Sequence, residues 1–351
     1  MKSERIAWWF SFVGLVLIVS ASNAIAQILY VDSRTGNDAN PGTEEKPLQT
    51  IGQAAAIVNS STQPGPTTIV IAPGIYNFNR CVAFETKRPY TERDRLVIGA
   101  AVLPDEPAWK PALMPIMLST DDPRKPENLD QQTETYGLKI KLSHVTIKGL
   151  KFLGNPLQRN WHCCIERVGE NLNDLIVTQC MFLGDRDGLD IYCPVIANGD
   201  GLVVYHSIFY NCNACVVFWD GLQGVPGKRC AMRYCIVDGA RISGVWTCQT
   251  TEDFEFHHNI VTGSEYFWMR KPGDRQRYRV EDCIVAGNRF YSGYGIESGP
   301  TGQTGPEVTY QESNVVKSGE VALVKDRTAS RYLHVVPGTF GSEVGAGLFR
   351  K

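Results

Sequence analysis

Apolar and polar residues alternate over short segments in the second half of the chain, and these segments recur. Each segment begins with a strand-like run and breaks at a small or polar residue near its sixth position. They start 24 to 30 residues apart, a period typical of stacked repeats. The segments are VTIKGLKFLG from Val145, LIVTQCMFLG from Leu175, LVVYHSIFYN from Leu202, CAMRYCIVDG from Cys230, FEFHHNIVTG from Phe254, YRVEDCIVAG from Tyr278 and VTYQESNVVK from Val308.

A second apolar segment follows most of these repeats. The examples are LDIY at 189, VVFW at 216, GVWT at 244, YFWM at 266 and YGIE at 294. This half of the chain has no useful helical period. We therefore predict an all-β solenoid in which each repeat is one coil of two or three short strands. The coils would stack into parallel sheets with a rise of about 4.8 Å per coil.

The sixth positions of the repeats predict a ladder of side chains at one corner of the coil. The side chains of Asn, Ser and Cys can form hydrogen bonds there with backbone groups that the bend leaves without partners. Cysteines in this column would lie two coils apart, about 9 to 10 Å, which is beyond disulfide reach. We therefore expect packing roles for them, although the eleven cysteines would first suggest disulfides if the chain is exported. The column contains Leu150, Cys180, Ser207, Cys235, Asn259, Cys283 and Ser313.

The first 26 residues have the layout of a cleaved secretory signal peptide. Lys2 and Arg5 precede an apolar run at residues 6–19, and Ala24-Ile25-Ala26 fits a cleavage site. The sequence therefore predicts a secreted or periplasmic protein with no membrane span in its mature form. A retained membrane anchor is the alternative, but the run is short for a span.

The charge balance argues against nucleic acid as a partner. Without residues 1–26 the chain keeps 33 basic and 36 acidic residues, a net charge of −3. A general nucleic-acid binder is usually basic, so any attraction for a polyanion must be local. We expect a monomer.

The domain organisation follows from the same patterns. Residues 27–66 read as an N-terminal segment and cap, with helix formers in LQTIGQAAAIVNS and Thr50 as a possible helix cap. Residues 67–351 read as the solenoid domain, which begins with the buried strand of TTIVIAPGIYN. A stretch at about 105–132, rich in Pro, Asp and Lys, predicts a long loop.

The start of the mature chain resembles a known superfamily. YVDSRTGNDANPGT, TIGQAA and TTIVIAPGIY are similar to the first segment of secreted right-handed parallel β-helix proteins of the pectate-lyase-like superfamily. The resemblance implies a right-handed single-stranded parallel β-helix with an N-terminal capping helix. It implies little about function, because the superfamily includes lyases, glycosidases, epimerases and proteins of no known activity.

The alternation also predicts an exposed aromatic column. It points Trp219, Trp246 and Trp268 outward on neighbouring coils, with Glu297 on a coil at one end. Flat indole faces suit the C–H surfaces of sugars, so these residues are predicted to bind substrate. The alternative is that loops cover the column and make it a small satellite core.

A basic cluster follows the aromatic run. Arg270-Lys271-Pro272-Gly273-Asp274-Arg275, after the HHN of residues 257–259, resembles the R-x-P-x-x-R element of pectate lyases. The resemblance implies that Arg270 accepts a proton and that Arg275 supplies supporting charge, while Lys228 or Lys271 could replace a lysine that the family uses. Eliminative cleavage of a polyuronate needs such cations to neutralise the carboxylate next to the abstracted proton.

An acidic turn suggests calcium as a possible cofactor. DRDGLDI, within CMFLGDRDGLDIY, resembles a D-G-x-x-D-I segment that supplies calcium ligands in the superfamily. The resemblance implies Asp187 and Asp190 as metal ligands, and hard oxygen ligands suit Ca²⁺. The alternative is a solvated acidic turn.

Three functions stay open from the sequence, and polysaccharide is the partner in each. The first is a polysaccharide lyase that cleaves an acidic polymer with Arg270 at its centre. The second is a non-catalytic carbohydrate-binding or cell-surface β-helix. The third is a glycoside hydrolase with paired carboxylates such as Asp190 and Asp220.

Overall fold

The computed structural model describes residues 26–122, 134–157, 161–185, 187–250, 253–274, 276–296, 299–304 and 310–350. In these residues the chain winds into a parallel β-helix, and successive strands join three sheets in turn. The pairings are parallel except between the last two strands of the third sheet. The predicted parallel β-helix is confirmed.

The three sheets are named A, B and C in the order in which a coil visits them. In the described residues sheet A consists of β1 (Gln27–Val31), β2 (Thr67–Ile71), β5 (Leu96–Ala100), β8 (Val145–Lys148), β11 (Asn173–Thr178), β14 (Asp200–Tyr205), β17 (Ala231–Arg233), β20 (Glu255–His257), β23 (Arg279–Glu281) and β26 (Gln311–Ser313). Sheet B consists of β3 (Ile75–Phe78), β6 (Ile116–Ser119), β9 (Lys151–Leu153), β12 (Met181–Leu183), β15 (Ile208–Tyr210), β18 (Ile236–Asp238) and β21 (Ile260–Thr262). Sheet C consists of β4 (Val82–Phe84), β7 (Glu134–Ile140), β10 (Trp161–Arg167), β13 (Cys193–Ala197), β16 (Ala214–Phe218), β19 (Ser243–Thr247), β22 (Tyr266–Arg270), β24 (Phe290–Ile296) and β25 (Gly299–Thr304).

The core lies inside the coils, where equivalent residues stack on one another. Phe152, Phe182 and Phe209 form one such stack in sheet B, with ring centroids 5.0 and 4.9 Å apart. In-register pairing of adjacent strands places like side chains at the strand spacing. The repeat period in the sequence therefore becomes a set of continuous buried columns.

The predicted corner ladder lies between sheets A and B. The side chain of Asn259 accepts a hydrogen bond from the backbone N–H of Cys235 (2.9 Å) and donates one to the carbonyl of Met232 (2.8 Å). Cys180, Cys235 and Cys283 are buried in the same column. All eleven cysteines lie in the described part of the chain, where no disulfide joins them. The packing role expected for the ladder cysteines is thereby confirmed.

A helix covers the start of the solenoid, as the sequence predicts. Helix α1 (Ile51–Ser60) begins after Thr50, whose hydroxyl accepts a hydrogen bond from the N–H of Gln53 (3.1 Å) and satisfies one of the free donors of the first turn. Ile51, Ala54, Ala55 and Val58 form its buried face.

The long loop predicted at about 105–132 is partly wrong. Its described part contains β6, which pairs with β3 and β9 and continues sheet B. The prolines around this strand made it hard to recognise. Pro111 begins a short 3-10 helix, and Pro115 directly precedes the strand IMLS. Residues 123–133 lie outside the described residues.

The C-terminal segment returns along the outer face of sheet B. Leu323, Leu333, Val335 and Leu348 pack there against an isoleucine column, formed by Ile208, Ile236, Ile260 and Ile284. Backbone carbonyls of this segment also accept hydrogen bonds from the Gln179 and His206 side chains (3.0 Å each). Sheet B is thus covered, while the outer face of sheet C carries a groove. No helix among the described residues is long and apolar enough to cross a membrane.

Candidate carbohydrate-binding groove

A groove of about 780 Å³ lies on the outer face of sheet C, and we call it the sheet C groove. Its floor is an apolar strip formed by outward residues of adjacent strands, Ile196, Val217 and Trp246, which pair in register. The lining also includes Tyr136, Trp161 and Trp219. Because each strand adds one outward side chain to the strip, the groove runs across the strands, along the axis of the solenoid.

Aromatic side chains form part of the lining of this groove. Trp246 is packed into the floor, whereas Trp161 and Trp219 are partly exposed at its sides. Trp161 stacks on Tyr192, with ring centroids 4.2 Å apart. Burial raises the pKa of Tyr192 to about 12, so its phenol stays neutral at ordinary pH. Two large apolar side chains, Leu222 and Ile296, line the groove and are 83% and 50% exposed.

The charged residues of the groove form two ion pairs. Lys271 Nζ lies 2.6 Å from Asp220 Oδ2, and both residues line the groove. At the other end Lys139 Nζ lies 3.0 Å from Glu166 Oε2 and also sits over the ring of Tyr136. Each pair is neutral overall, so these four residues give the groove no net positive charge to attract a polyanion.

The predicted outward position of Trp268 is wrong. Phe267 and Trp268 both pack into the core, while Tyr266 and Met269 face outward, so strict alternation fails within β22. Trp268 has no exposed surface and contacts Phe256 and Tyr278, with ring centroids 5.0 and 4.9 Å from its own. It cannot stack on a sugar from there.

Arg270 also points inward, contrary to the sequence-based expectation. It is completely buried at the end of β22. Its Nε lies 3.3 Å from Asp274 Oδ2, and its Nη2 donates to the carbonyl of Gln276 (2.7 Å). Its guanidinium faces the rings of Tyr278 and Tyr310. A guanidinium paired and enclosed in this way cannot reach a substrate, so Arg270 does not act as a base.

The other predicted residues divide between the groove and the parts not described. Trp219, Trp246 and Lys271 all line the sheet C groove, so the structure brings these three together. Arg275 and Glu297 lie outside the described residues. Trp161 and Tyr136 were missed by sequence reasoning. Their signal was weak, because the repeat was recognised only from Val145 onward and the WHCCIER strand lies outside the aligned segments.

The acidic turn does not favour calcium. One carboxylate oxygen of Asp190 is hydrogen-bonded to the guanidinium of Arg241, and Asn213 donates to the other at 3.4 Å. Asp187 is exposed on the turn. Among the residues with described coordinates, no three His, Cys, Asp or Glu side chains cluster as a metal site. Calcium binding stays an untested prediction, and Asp190 does not fit it because a cation already neutralises it.

Two further sequence signals have structural explanations. His258 has a positive φ of 53° at the corner before Asn259, a position taken by Gln179, His206 and Tyr234 in earlier coils. The HHN motif is therefore a strand end, a corner and a ladder residue.

The predicted second segment LDIY is also displaced, since the strand is β13. Asp190 thus falls in a turn and is not among the residues that line the groove with Asp220, so the groove does not bring this predicted pair together.

Comparisons with known proteins agree with this fold. The pattern of a family described as "Protein of unknown function (DUF1565)" matches residues 34–86. A search of curated proteins finds no match. A rhamnogalacturonan lyase structure is similar over 76% of this chain and 70% of its own, with a TM-score of 0.52 and 14% identity.

Two more distant structures share the same architecture. The GH136 lacto-N-biosidase from Eubacterium ramulus matches 83% of this chain and 68% of its own, with a TM-score of 0.47 and 10% identity. The pectin methylesterase from Aspergillus niger matches 89% and 95%, with a TM-score of 0.46 and 13% identity. At these identities the likeness is one of fold, and the fold of the chain is a parallel β-helix.

Proposed function

We propose that the protein binds a neutral polysaccharide along the sheet C groove. The observation that carries this proposal is the set of four aromatic side chains, Tyr136, Trp161, Trp219 and Trp246, that line one open groove. The partly exposed indoles of Trp161 and Trp219 offer flat faces to sugar C–H surfaces at a low entropy cost, while Tyr136 and Trp246 are buried in the lining. The exposed Leu222 and Ile296 extend the same apolar surface.

The charges support a neutral ligand over an acidic one. Lys271 and Lys139 are each paired with a carboxylate, so a polyuronate would have to compete with Asp220 and Glu166 for them. Binding of a neutral polymer should therefore change little with ionic strength, whereas binding of a polyanion should weaken as salt screens it.

A binding assay tests the proposal directly. The protein is titrated calorimetrically with soluble neutral polysaccharides (β-glucan, mannan, xylan and arabinan) and with pectate and alginate. We expect at least one neutral polymer to bind, and Trp219→Ala to weaken that binding about tenfold or more. Trp109→Phe is the matched control, because Trp109 packs under Phe349 at sheet B and should bind like the native protein.

Two results would contradict the proposal. One is that none of the neutral polymers binds while an acidic polymer does. The other is that Trp219→Ala and the native protein bind equally well.

A lyase is the second candidate, and Lys271 is the observation that favours it. Its side chain is 42% exposed and lines the groove, unlike the buried Arg270. Incubation with pectate, alginate and glycosaminoglycans, with and without Ca²⁺, would reveal a lyase by the rising absorbance of new double bonds. That rise should disappear in Lys271→Ala. If absorbance stays flat with all polymers while neutral polymers bind, the protein is a binding module.

A further inference from the structure

Arg167 is a buried cation at the end of β10, where sheet C turns toward sheet A. The residue has no exposed surface. Its Nε donates a hydrogen bond to the carbonyl of Asn198 on the next coil (2.7 Å). Its Nη1 and Nη2 have no hydrogen-bond partner among the described residues. Four N–H donors of one guanidinium therefore point into the protein interior unsatisfied.

The guanidinium remains charged despite this burial. Burial lowers the pKa of Arg167 to about 10, which still leaves it protonated at neutral pH. An isolated charge in an apolar interior is costly unless a counter-charge and hydrogen bonds compensate for it. The site therefore calls for an anionic or strongly accepting group next to the two terminal nitrogens.

The protein's own carboxylates near this corner are engaged elsewhere. Asp174 is hydrogen-bonded to Arg95 and to His144. Asp200 accepts from the backbone N–H of Lys228 (3.0 Å) and from the guanidinium of Arg229 (3.3 Å). Glu170, three residues after Arg167, is exposed at the surface. None of these three carboxylates therefore supplies a dedicated counter-ion.

The stacked column beside Arg167 includes a small residue. Register pairs Arg167 with Ile140 on one side and with Ala197 on the other, and Phe218 follows Ala197. Ala197 has the smallest side chain of these neighbours. Because Arg167 has no exposed surface, a guest beside its guanidinium must be as small as one or two atoms, which excludes a sugar or a phosphate ester.

We propose that Arg167 holds a small monovalent inorganic anion, of the halide class, inside the corner between sheets C and A. The anion accepts hydrogen bonds from Nη1 and Nη2 and neutralises the guanidinium. This site is independent of the sheet C groove, because Arg167 faces the interior of the coil and the groove lies on the outer face.

Thermal unfolding in two sodium salts tests the site in solution. The full chain is compared in chloride and in gluconate at equal ionic strength, since gluconate is too large to enter. We expect chloride to raise the Tm of the native protein by about 2 to 5 °C. Arg167→Met should abolish this difference. Arg289→Met, at a 69% exposed side chain, is the matched control and should keep it.

A crystallographic measurement needs no variant and therefore stands even if Arg167→Met fails to fold. Crystals of the native protein are soaked in sodium bromide, and anomalous scattering is recorded at the bromine edge. The proposal requires an anomalous peak within hydrogen-bond distance of Arg167 Nη1 or Nη2. Density there without an anomalous signal would identify a water molecule and overturn the proposal, as would equal Tm values in chloride and gluconate.

Discussion

Arg167 and Arg270 sit in the same column of sheet C and are both completely buried, yet their surroundings differ. Register connects them through Ala197, Phe218 and Thr247. Arg270 has a carboxylate, two backbone carbonyls and two aromatic rings around it, and its Nη1 alone has no hydrogen-bond partner in the described residues. Arg167 has one carbonyl at its Nε, and its two terminal nitrogens have no hydrogen-bond partner in the described residues.

The difference originates in the turn that follows each arginine. After Arg270, the sequence Lys-Pro-Gly bends the chain so that Asp274, four residues on, returns to the guanidinium. The residue four positions after Arg167 is Asn171, which has a positive φ of 54° in the connection to β11. The same buried cation is therefore compensated by the chain itself at one site and not at the other.

The first way to break this comparison is to remove the arginine that has its own carboxylate. Arg270→Met should lower the free energy of unfolding by about 3 to 5 kcal/mol, because it leaves the carboxylate of Asp274 buried without its cation. Urea unfolding followed by tryptophan fluorescence measures the loss. Asp274→Asn in the Arg270→Met background is the control, since it removes the stranded charge and should recover part of that loss.

The same experiment can contradict the comparison. If Arg270→Met stays within about 1 kcal/mol of the native protein, the Arg270–Asp274 pair contributes no more than an exposed ion pair.

The fold was predictable from the sequence because a solenoid repeats its pattern. The ladder at Cys180, Cys235 and Asn259 could be predicted directly from the repeat, since every coil has the same corner at the same position. The helix α1 was predictable for a local reason, the Thr50 cap before an apolar stripe. The strand β6 was not, because four residues between prolines leave too little pattern to recognise.

The groove was only half predictable, because strand alternation is not strict. Trp219 and Trp246 follow the alternation and face outward. Trp268 does not, because the two large residues Phe267 and Trp268 both fill the core. The basic motif after them misled for a related reason. A short pattern of cationic residues in a sequence does not distinguish an exposed guanidinium from a buried one, such as that of Arg270, which is paired with Asp274.

A second way to sharpen the comparison is to lower the pH. A buried neutral histidine gains a proton in acid, whereas arginine stays protonated throughout. Burial lowers the pKa of His162, on the same strand as Arg167, to about 4, and that of His334 also to about 4. The pKa of these histidines in the unfolded chain is 6.5. The stability that depends on their neutral form is therefore fully present above pH 6.5 and is lost as the pH falls toward 4. At pH 5.5 each histidine should lower the free energy of unfolding by about 1.4 kcal/mol.

Urea unfolding at pH 7.5 and pH 5.5 measures this loss. His334→Gln should reduce the difference between the two pH values, whereas Arg167→Met should leave it unchanged, since Arg167 keeps its charge throughout this range. The neutral ring of His334 accepts a hydrogen bond from the N–H of Leu348 (2.9 Å), so its protonation also loosens the C-terminal segment. An unaltered pH response in His334→Gln would show that this histidine titrates normally.

The smallest effect should come from the arginine that has no carboxylate. In chloride, Arg167→Met removes the guanidinium and its proposed anion together, and exchanging a compensated buried charge for an apolar side chain of similar length is close to neutral. We expect a change below about 1 kcal/mol, against the much larger loss at Arg270. In gluconate the same variant should be more stable than the native protein, because there the native guanidinium stays uncompensated. A loss in both salts as large as that of Arg270→Met would mean that the chain itself supplies a counter-charge to Arg167, and the contrast between the two sites would then disappear.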